Sequence, residues 1–249
     1  MERTSNILIN CDMGESYGAW TKGNDKQIMP YIDLANIACG FHASDPLNME
    51  KTVLLAKKAN VKIGAHPSYP DLVGFGRRNM SVSSDELRAI VAYQIGALQG
   101  ICTMHQAQVE YVKPHGALYN TMMKDFTVLK AIMLAVKETL ADCPLMVMAT
   151  PQYEAVERLA QEIGIPLLFE AFSDRAYTDD GYLVDRTQPG AVHNSVNKIV
   201  SQVQEILQTG NVTSINGNSI ALKVDTICIH GDGEHATAIA RAASNNNGV

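Results

Sequence analysis

Lys113 and His115 stand two residues apart in Val112-Lys113-Pro114-His115-Gly116-Ala117-Leu118-Tyr119, where an apolar run breaks into Pro and Gly. Alternate residues of an extended segment share one side, so both side chains would point the same way. There Lys113 could hold a substrate carboxylate or a phosphoryl oxygen, and His115 could transfer a proton near neutral pH. The plainer alternative is a buried lysine paired with a structural carboxylate. Polar clusters of the same kind follow other apolar runs. Asp12 and Glu15 come after Ile7–Cys11, Asp12 as a candidate base or metal ligand and Glu15 as a candidate substrate contact, although carboxylates at such places also cap turns and helix starts. His42 follows Ala35–Cys39 and His66 follows Val61–Ala65, so at adjacent strand ends their imidazoles would converge with Asp12. Arg77 and Arg78, after Gly74-Phe75-Gly76, could reach a phosphate, though solvent-facing Arg is the common case. Asp174 and Arg175 open a loop dense in Asp and Tyr. Arg175 suits a bidentate clamp on a carboxylate, with Asp174 as base or orienter. His230 and Asp232 lie in His230-Gly231-Asp232-Gly233, where glycines allow close ligand approach and a helix start favours anions. His105 and His193 fall on helical patterns without polar companions and read as surface or packing residues.

Groups so far apart in sequence meet only if the ends of successive strands meet. The recurring order is a short apolar run, a polar cluster with Gly or Pro, then a helical pattern, which makes each repeat a βα unit. Seven units fit, with runs at Ile7–Cys11, Ala35–Cys39, Val61–Ala65, Val109–Val112, Leu145–Ala149, Leu167–Phe169 and Thr226–Ile229. Asp45-Pro46 caps and opens a helix through Ala59, and Ser83-Ser84-Asp85-Glu86 is a capping box opening the longest helix, toward His105. Further helices are expected at Asp125–Leu140, Pro151–Ile163, Ala191–Leu207 and Gly233–Ala243. A small hairpin over Val212–Val224 turns at Asn216-Gly217. Strand–helix alternation with polar strand ends argues for one α/β barrel spanning residues 1–249, whose βα loops converge on one face. An open doubly wound sheet would gather its ligand groups at a single switch point instead.

The composition suits such a scaffold: 46% hydrophobic residues can build a large core, and a net charge of −6 with scattered Lys and Arg argues against a nucleic-acid surface. No apolar run approaches membrane-spanning length and the polar start lacks a signal-peptide core, so no membrane role is expected. Five cysteines without a CxxC pattern favour reduced thiols and a cytoplasmic location. Neither GxxxxGK[ST] nor GxGxxG occurs, so ATP would not be held here by a familiar phosphate loop.

Six long motifs carry a resemblance. Asn10-Cys11-Asp12-Met13-Gly14-Glu15, Ala38–Pro46, Gly64–Asp71 with Gly74–Arg78, Lys113–Asn120, and Asp174–Tyr177 through Asp180-Gly181 to Arg186 resemble the LamB/YcsF family, in order, from about Ile7 to Ala243. Ser44 stands where that family is expected to have Gly. The resemblance implies a seven-unit (β/α) barrel related to glycoside hydrolases and deacetylases. It further implies the opening of the lactam 5-oxo-L-proline to L-glutamate with ATP and water, in company with 5-oxoprolinase subunits B and C. A five-membered lactam closes with high effective molarity, so its hydrolysis has little driving force until the amide oxygen is phosphorylated. The site then needs donors for phosphate and carboxylate, a base for water and an acid for the leaving nitrogen. Resemblance to the deacetylases also suggests a divalent metal on Asp12, His42 and His66, besides Mg with ATP. Two alternatives stand: a metal-dependent carbohydrate deacetylase or amidohydrolase acting alone, and a non-catalytic subunit that presents 5-oxoproline to B and C.

Overall fold

The computed structural model describes residues 7–229 and 237–241. Along the chain run β1 (Leu8–Met13), a single turn α1 (Asp25–Ile28), β2 (Leu34–Ala38), α2 (Pro46–Ala59), β3 (Lys62–His66) and α3 (Ser84–Met104). Then come β4 (Tyr111–Val112), α4 (Gly116–Met122), α5 (Phe126–Thr139), β5 (Leu145–Met148), α6 (Tyr153–Ile163) and β6 (Leu167–Phe172). The last are α7 (Val196–Thr209), the antiparallel pair β7 (Asn211–Thr213) and β8 (Ser219–Ala221), and β9 (Thr226–Ile229). Seven parallel strands close into a barrel in the order β1-β2-β3-β4-β5-β6-β9, and the helices cover its outside. This is the seven-unit (β/α) barrel that the alternation of elements implies.

Local chemistry sets the helix starts. The Asp45 carboxylate accepts from the Leu47 and Asn48 N–H groups ahead of Pro46, a cap worth about 1 kcal/mol. The Ser83 hydroxyl accepts from Glu86 N–H, while Glu86 Oε2 accepts from Ser83 N–H at 2.8 Å. Asn60 and Gly164 end α2 and α6 in the left-handed region.

Several boundaries differ from the expected ones for identifiable reasons. α6 begins at Tyr153, because Pro151 and Gln152 form a turn closed by Tyr153 N–H on the Thr150 carbonyl. α7 begins at Val196 rather than Ala191. Residues 191–193 instead pair with 174–176, Ala176 N–H donating to Ala191 O and His193 N–H to Asp174 O. The β7–β8 hairpin forms as expected, with its second strand ending at Ala221. α4, directly after His115, has no counterpart in the sequence reading. Of the expected helix at 233–243, residues 237–241 are described and are helical.

The barrel interior is polar along one line. The buried side chains of Asn10 and Asn36 are bonded to each other at 2.8 Å, Asn10 donates to Thr226 Oγ, and the Tyr111 hydroxyl donates to Asn36 Oδ1 at 2.7 Å. Gly64 makes room for this arrangement: a Cβ there would lie 2.2 Å from the Tyr111 ring. Buried amides and hydroxyls carry little penalty only when so paired, and this ladder leads upward to Asp12.

Candidate active site

The carboxyl ends of β1, β3, β4, β5 and β6, with the segments that follow β3 and β6, meet around a cleft of about 510 Å³. Asp12 is the penultimate residue of β1, and its Oδ1 accepts from Asn36 Nδ2 and Lys113 Nζ, both at 2.9 Å. Lys113 follows β4 and is almost wholly buried. Its ammonium lies within reach of four groups: Glu170 Oε1 at 2.8 Å, Asp12 Oδ1, Cys228 Sγ at 3.2 Å and Asn10 Oδ1 at 3.3 Å. Burial alone would lower the Lys113 pKa, but Asp12, Cys228 and Glu170 together hold it well above its ordinary value. Lys113 is therefore a fixed cation with its protons already engaged. Lys113 thus forms the buried ion pairs of the plainer alternative while also lining the cleft.

Glu170 is the functional candidate that the sequence reading passed over. The strand was expected to end at Phe169, but β6 runs on to Phe172, so the Glu170 side chain enters the barrel fully buried, and its Oε2 accepts from the Tyr119 hydroxyl at 2.7 Å. A lone Glu within an apolar run, Leu167-Leu168-Phe169-Glu170-Ala171-Phe172, was the available signal.

Three imidazoles stand beside Asp12. His66 closes β3 and His115 occupies the N-cap position of α4, with the backbone N–H groups of Lys113 and His115 tied to the Ala65 and Pro67 carbonyls. His42 lies buried on the loop after β2, stacked on His115 at 3.8 Å and 5°. That loop turns at Ser44, whose φ of 73° is a left-handed value, which explains why a Gly would be expected there. Residues 71–78 fold over the cluster. Asp71 binds Gly74 N–H and the Arg78 side chain, which lowers its pKa to about 2, and Gly76, at φ 64°, packs where a Cβ would lie within 2.9 Å of both His115 and His42. Arg78 is thereby committed to Asp71, not to a phosphate.

Backbone carbonyls assign the tautomers. His66 Nδ1 faces Lys113 O at 2.7 Å and His115 Nε2 faces Phe75 O at 3.0 Å, and since a carbonyl only accepts, both nitrogens carry hydrogens. The remaining nitrogens, His66 Nε2 and His115 Nδ1, confront each other at 2.9 Å. Two neutral rings would oppose lone pairs there, and only a proton or a metal ion between them removes the conflict. Burial, with His42 and His66 close by, pushes the His115 pKa well below its ordinary value and so disfavours the proton. His42, its pKa likewise pushed down by burial, has no hydrogen-bond partner for either buried ring nitrogen. Glu15 Oε1 completes the group, 3.7 Å from His42 Nε2 and 4.0 Å from His115 Nδ1, and ligand atoms from Glu15, His42, His66 and His115 all lie within 4.8 Å of one another. Three imidazoles and one carboxylate suit a divalent transition metal such as zinc. The group that could hold an ion shares His42 and His66 with the expected Asp12–His42–His66 set and adds Glu15 and His115, while Asp12 pairs with Lys113 and lies 3.4 Å from His66 Nε2.

The other expected residues separate. Arg77 and Arg175 line the cleft. Arg175 Nε and Nη2 donate to the Ala191 and Val184 carbonyls, so at least half of the expected bidentate clamp is spent on its own loop. Burial lowers its pKa to about 10. Asp174 is half-buried and is not among the residues that line the cleft. His230 and Asp232 fall outside the described residues. His105 and His193 do have polar companions: His105 Nε2 meets Glu50 at 2.8 Å, and His193 Nε2 meets Gln202 at 3.1 Å on the loop before α7. The five cysteines are all buried and free, and no helix among the described residues is long and apolar enough to cross a membrane.

A closed parallel barrel whose strand ends gather buried imidazoles, carboxylates and a fixed cation is an α/β-barrel protein with an enzyme-like site at its carboxyl face. The LamB/YcsF family model matches residues 7–247, and the chain belongs to that family. Among relatives, one of the 5-oxoprolinase A subunits of Pseudomonas putida, numbered 2, is 51% identical over 235 residues, 94% of this chain and 91% of the relative. The 5-oxoprolinase A subunit of Vibrio campbellii is 49% identical over 235 residues, 94% of this chain and 93% of the relative. The solved "Lactam Utilization Protein" of Thermus thermophilus superposes with a TM-score of 0.89 at 40% identity, over 96% of this chain and 94% of that one.

Proposed function

We propose that this chain is the A component of an ATP-dependent 5-oxoprolinase, opening 5-oxo-L-proline to L-glutamate together with subunits B and C. The observation that carries the reading is the cluster of Asp12, Glu15, His42, His66 and His115 at one barrel mouth in a chain about half identical to proteins of that name. In this reading Asp12, reachable from the cleft and held by Lys113 and Asn36, takes the proton of the attacking water. Glu170 and Lys113 keep that carboxylate in place. His115 lines the cleft, with its Nε2–H held on the Phe75 carbonyl and its Nδ1 turned toward His66 Nε2, so it serves the cluster as a nitrogen ligand. Glu15, His42, His66 and His115 would hold a divalent ion, which when bound supplies Lewis-acid polarisation of the lactam carbonyl. The absence of a phosphate loop gives most of the ATP site to the partner subunits.

The test is ATP-dependent glutamate formation by the chain alone, by the chain with B and C, and by that mixture after EDTA treatment and metal restoration. Negligible activity alone, turnover on mixing, and loss with EDTA that added transition metal reverses beyond the effect of Mg are expected. Rapid ATP-coupled turnover by the isolated chain would overturn its placement in a three-part enzyme. The metal cluster favours a second reading, a metal-dependent amidohydrolase acting alone, which predicts lactam or N-acetyl hydrolysis without ATP.

A further inference from the structure

The four side chains of the cluster are not anchored alike. His66 closes β3 and His115 is tied through its backbone to the segment after β3, so the barrel itself places them. Glu15 and His42 lie on two different loops, after β1 and after β2, and their separation of 3.7 Å depends on how those loops are joined. The join is made by the first turn of α2. The Asn48 side-chain amide donates to the Gly14 carbonyl at 2.7 Å and to the Ser16 carbonyl at 3.1 Å, and so brackets Glu15 from both sides. The same Nδ2 lies 3.3 Å from Ser44 Oγ, two residues beyond His42. Further bonds hold the loop against α1 and α2: Gly14 N–H donates to Asp25 Oδ2 at 2.8 Å, Ser44 N–H to the Ser16 carbonyl at 3.1 Å and Gly18 N–H to Asp45 Oδ2 at 2.9 Å. A Cβ at Gly14 would lie 3.0 Å from Thr52 Oγ1, so the loop runs close along the helix. Asn48 belongs neither to the residues that line the cleft nor to the group that could hold an ion.

We infer that Asn48 is a positioning residue for the cluster, setting the Glu15 carboxylate against the three imidazoles through its hold on the Gly14 and Ser16 carbonyls. The inference rests on the proposed reading in which Glu15, His42, His66 and His115 hold a divalent ion. A side-chain amide suits the task, because its two N–H groups can serve two carbonyls at once without adding charge beside Glu15 and Asp25. An ionised Asp at the same place would offer those carbonyls only acceptors, and Ala would offer them nothing. Groups that orient a ligand from behind set the metal affinity almost as strongly as the ligands themselves.

The test is the zinc affinity of the full chain, read by competition with a chromophoric chelator, together with the visible spectrum of the chain loaded with cobalt(II). Wild type is compared with Asn48→Ala, Asn48→Asp, Glu15→Gln and the double variant Glu15→Gln/Asn48→Ala, each below its thermal midpoint so that only folded chains are measured. Both Asn48 variants are expected to bind zinc about 10–100-fold more weakly than wild type and to change the cobalt spectrum. Because the hold acts through Glu15, adding Asn48→Ala to Glu15→Gln is expected to weaken binding by less than about threefold further. A merely structural role for Asn48 would lower the thermal midpoint and leave the spectrum of the folded chain as it was. The inference alone is overturned if the Asn48 variants bind zinc within about twofold of wild type, or if the two substitutions weaken binding by fully additive amounts. A wild-type chain that binds neither zinc nor cobalt overturns the metal reading, and the inference with it.

Discussion

Lys113 illustrates how one side chain changes meaning once its surroundings are counted. Asp12, Asn10, Cys228 and Glu170 all surround its ammonium, so the cation holds two carboxylates together inside the barrel. Lys113→Ala strands two carboxylates in the barrel and should cost about 3–5 kcal/mol, read as a lowered denaturation midpoint. Equal stability of mutant and wild type would refute the ion-pair account. Glu170→Gln keeps shape but removes charge. It should slow turnover of the reconstituted complex at least tenfold, chiefly in kcat, because Glu170 is buried and is not among the residues that line the cleft. A change confined to KM would contradict that placement. The histidines give a pH dependence. His42 and His115 have folded pKa values well below the ordinary 6.5, so above about pH 6.5 neither the folded nor the unfolded form is protonated at these rings and the stability is complete. As pH falls from there the unfolded chain binds protons first, and stability erodes until the folded pKa values are passed. Thermal midpoints should drop as the pH falls from about 7.5 to about 5.5. A flat profile would show that these rings are not held neutral.

The elements were mostly legible in the sequence because their signals are local. Asp45-Pro46 and Ser83 through Glu86 form the caps that their side-chain chemistry predicts, and the seven apolar runs are the seven barrel strands. What escaped depends on partners distant in the chain. The end of β6 is set by pairing with β5 and β9, which carries the strand past Phe169 and buries Glu170. Residues 191–193 look helical but are captured by backbone bonds to 174–176. That Glu15 and His115 gather with His42 and His66 while Asp12 pairs with Lys113 depends on how the strand ends meet, which spacing does not reveal. Glycines at close approaches offer the test at this scale. Gly64→Ala would drive a methyl into the Tyr111 ring and pull that tyrosine from Asn36, the residue that orients Asp12. A loss of about 1–3 kcal/mol by overpacking is expected, with a fall in activity larger than Tyr111→Phe produces. A fully stable and active Gly64→Ala protein would show that the ladder does not position Asp12.

For the whole molecule, the barrel turns scattered residues into one site. Side chains from β1, β3, β4 and β6 and from two loops reach a single mouth, and the opposite face is left to hold the fold together. The family relationship and the name of the relatives frame this mouth as one part of a larger assembly. In the proposed function the histidine–carboxylate cluster opens the lactam. The most direct measurement is ATP-dependent release of glutamate from 5-oxo-L-proline by the chain reconstituted with B and C, comparing wild type with His115→Gln at matched folding and matched complex formation. The account predicts a fall of about 100-fold or more, the scale of losing one group that stabilises charge at the reacting centre. A His115→Gln rate within about twofold of wild type would contradict it.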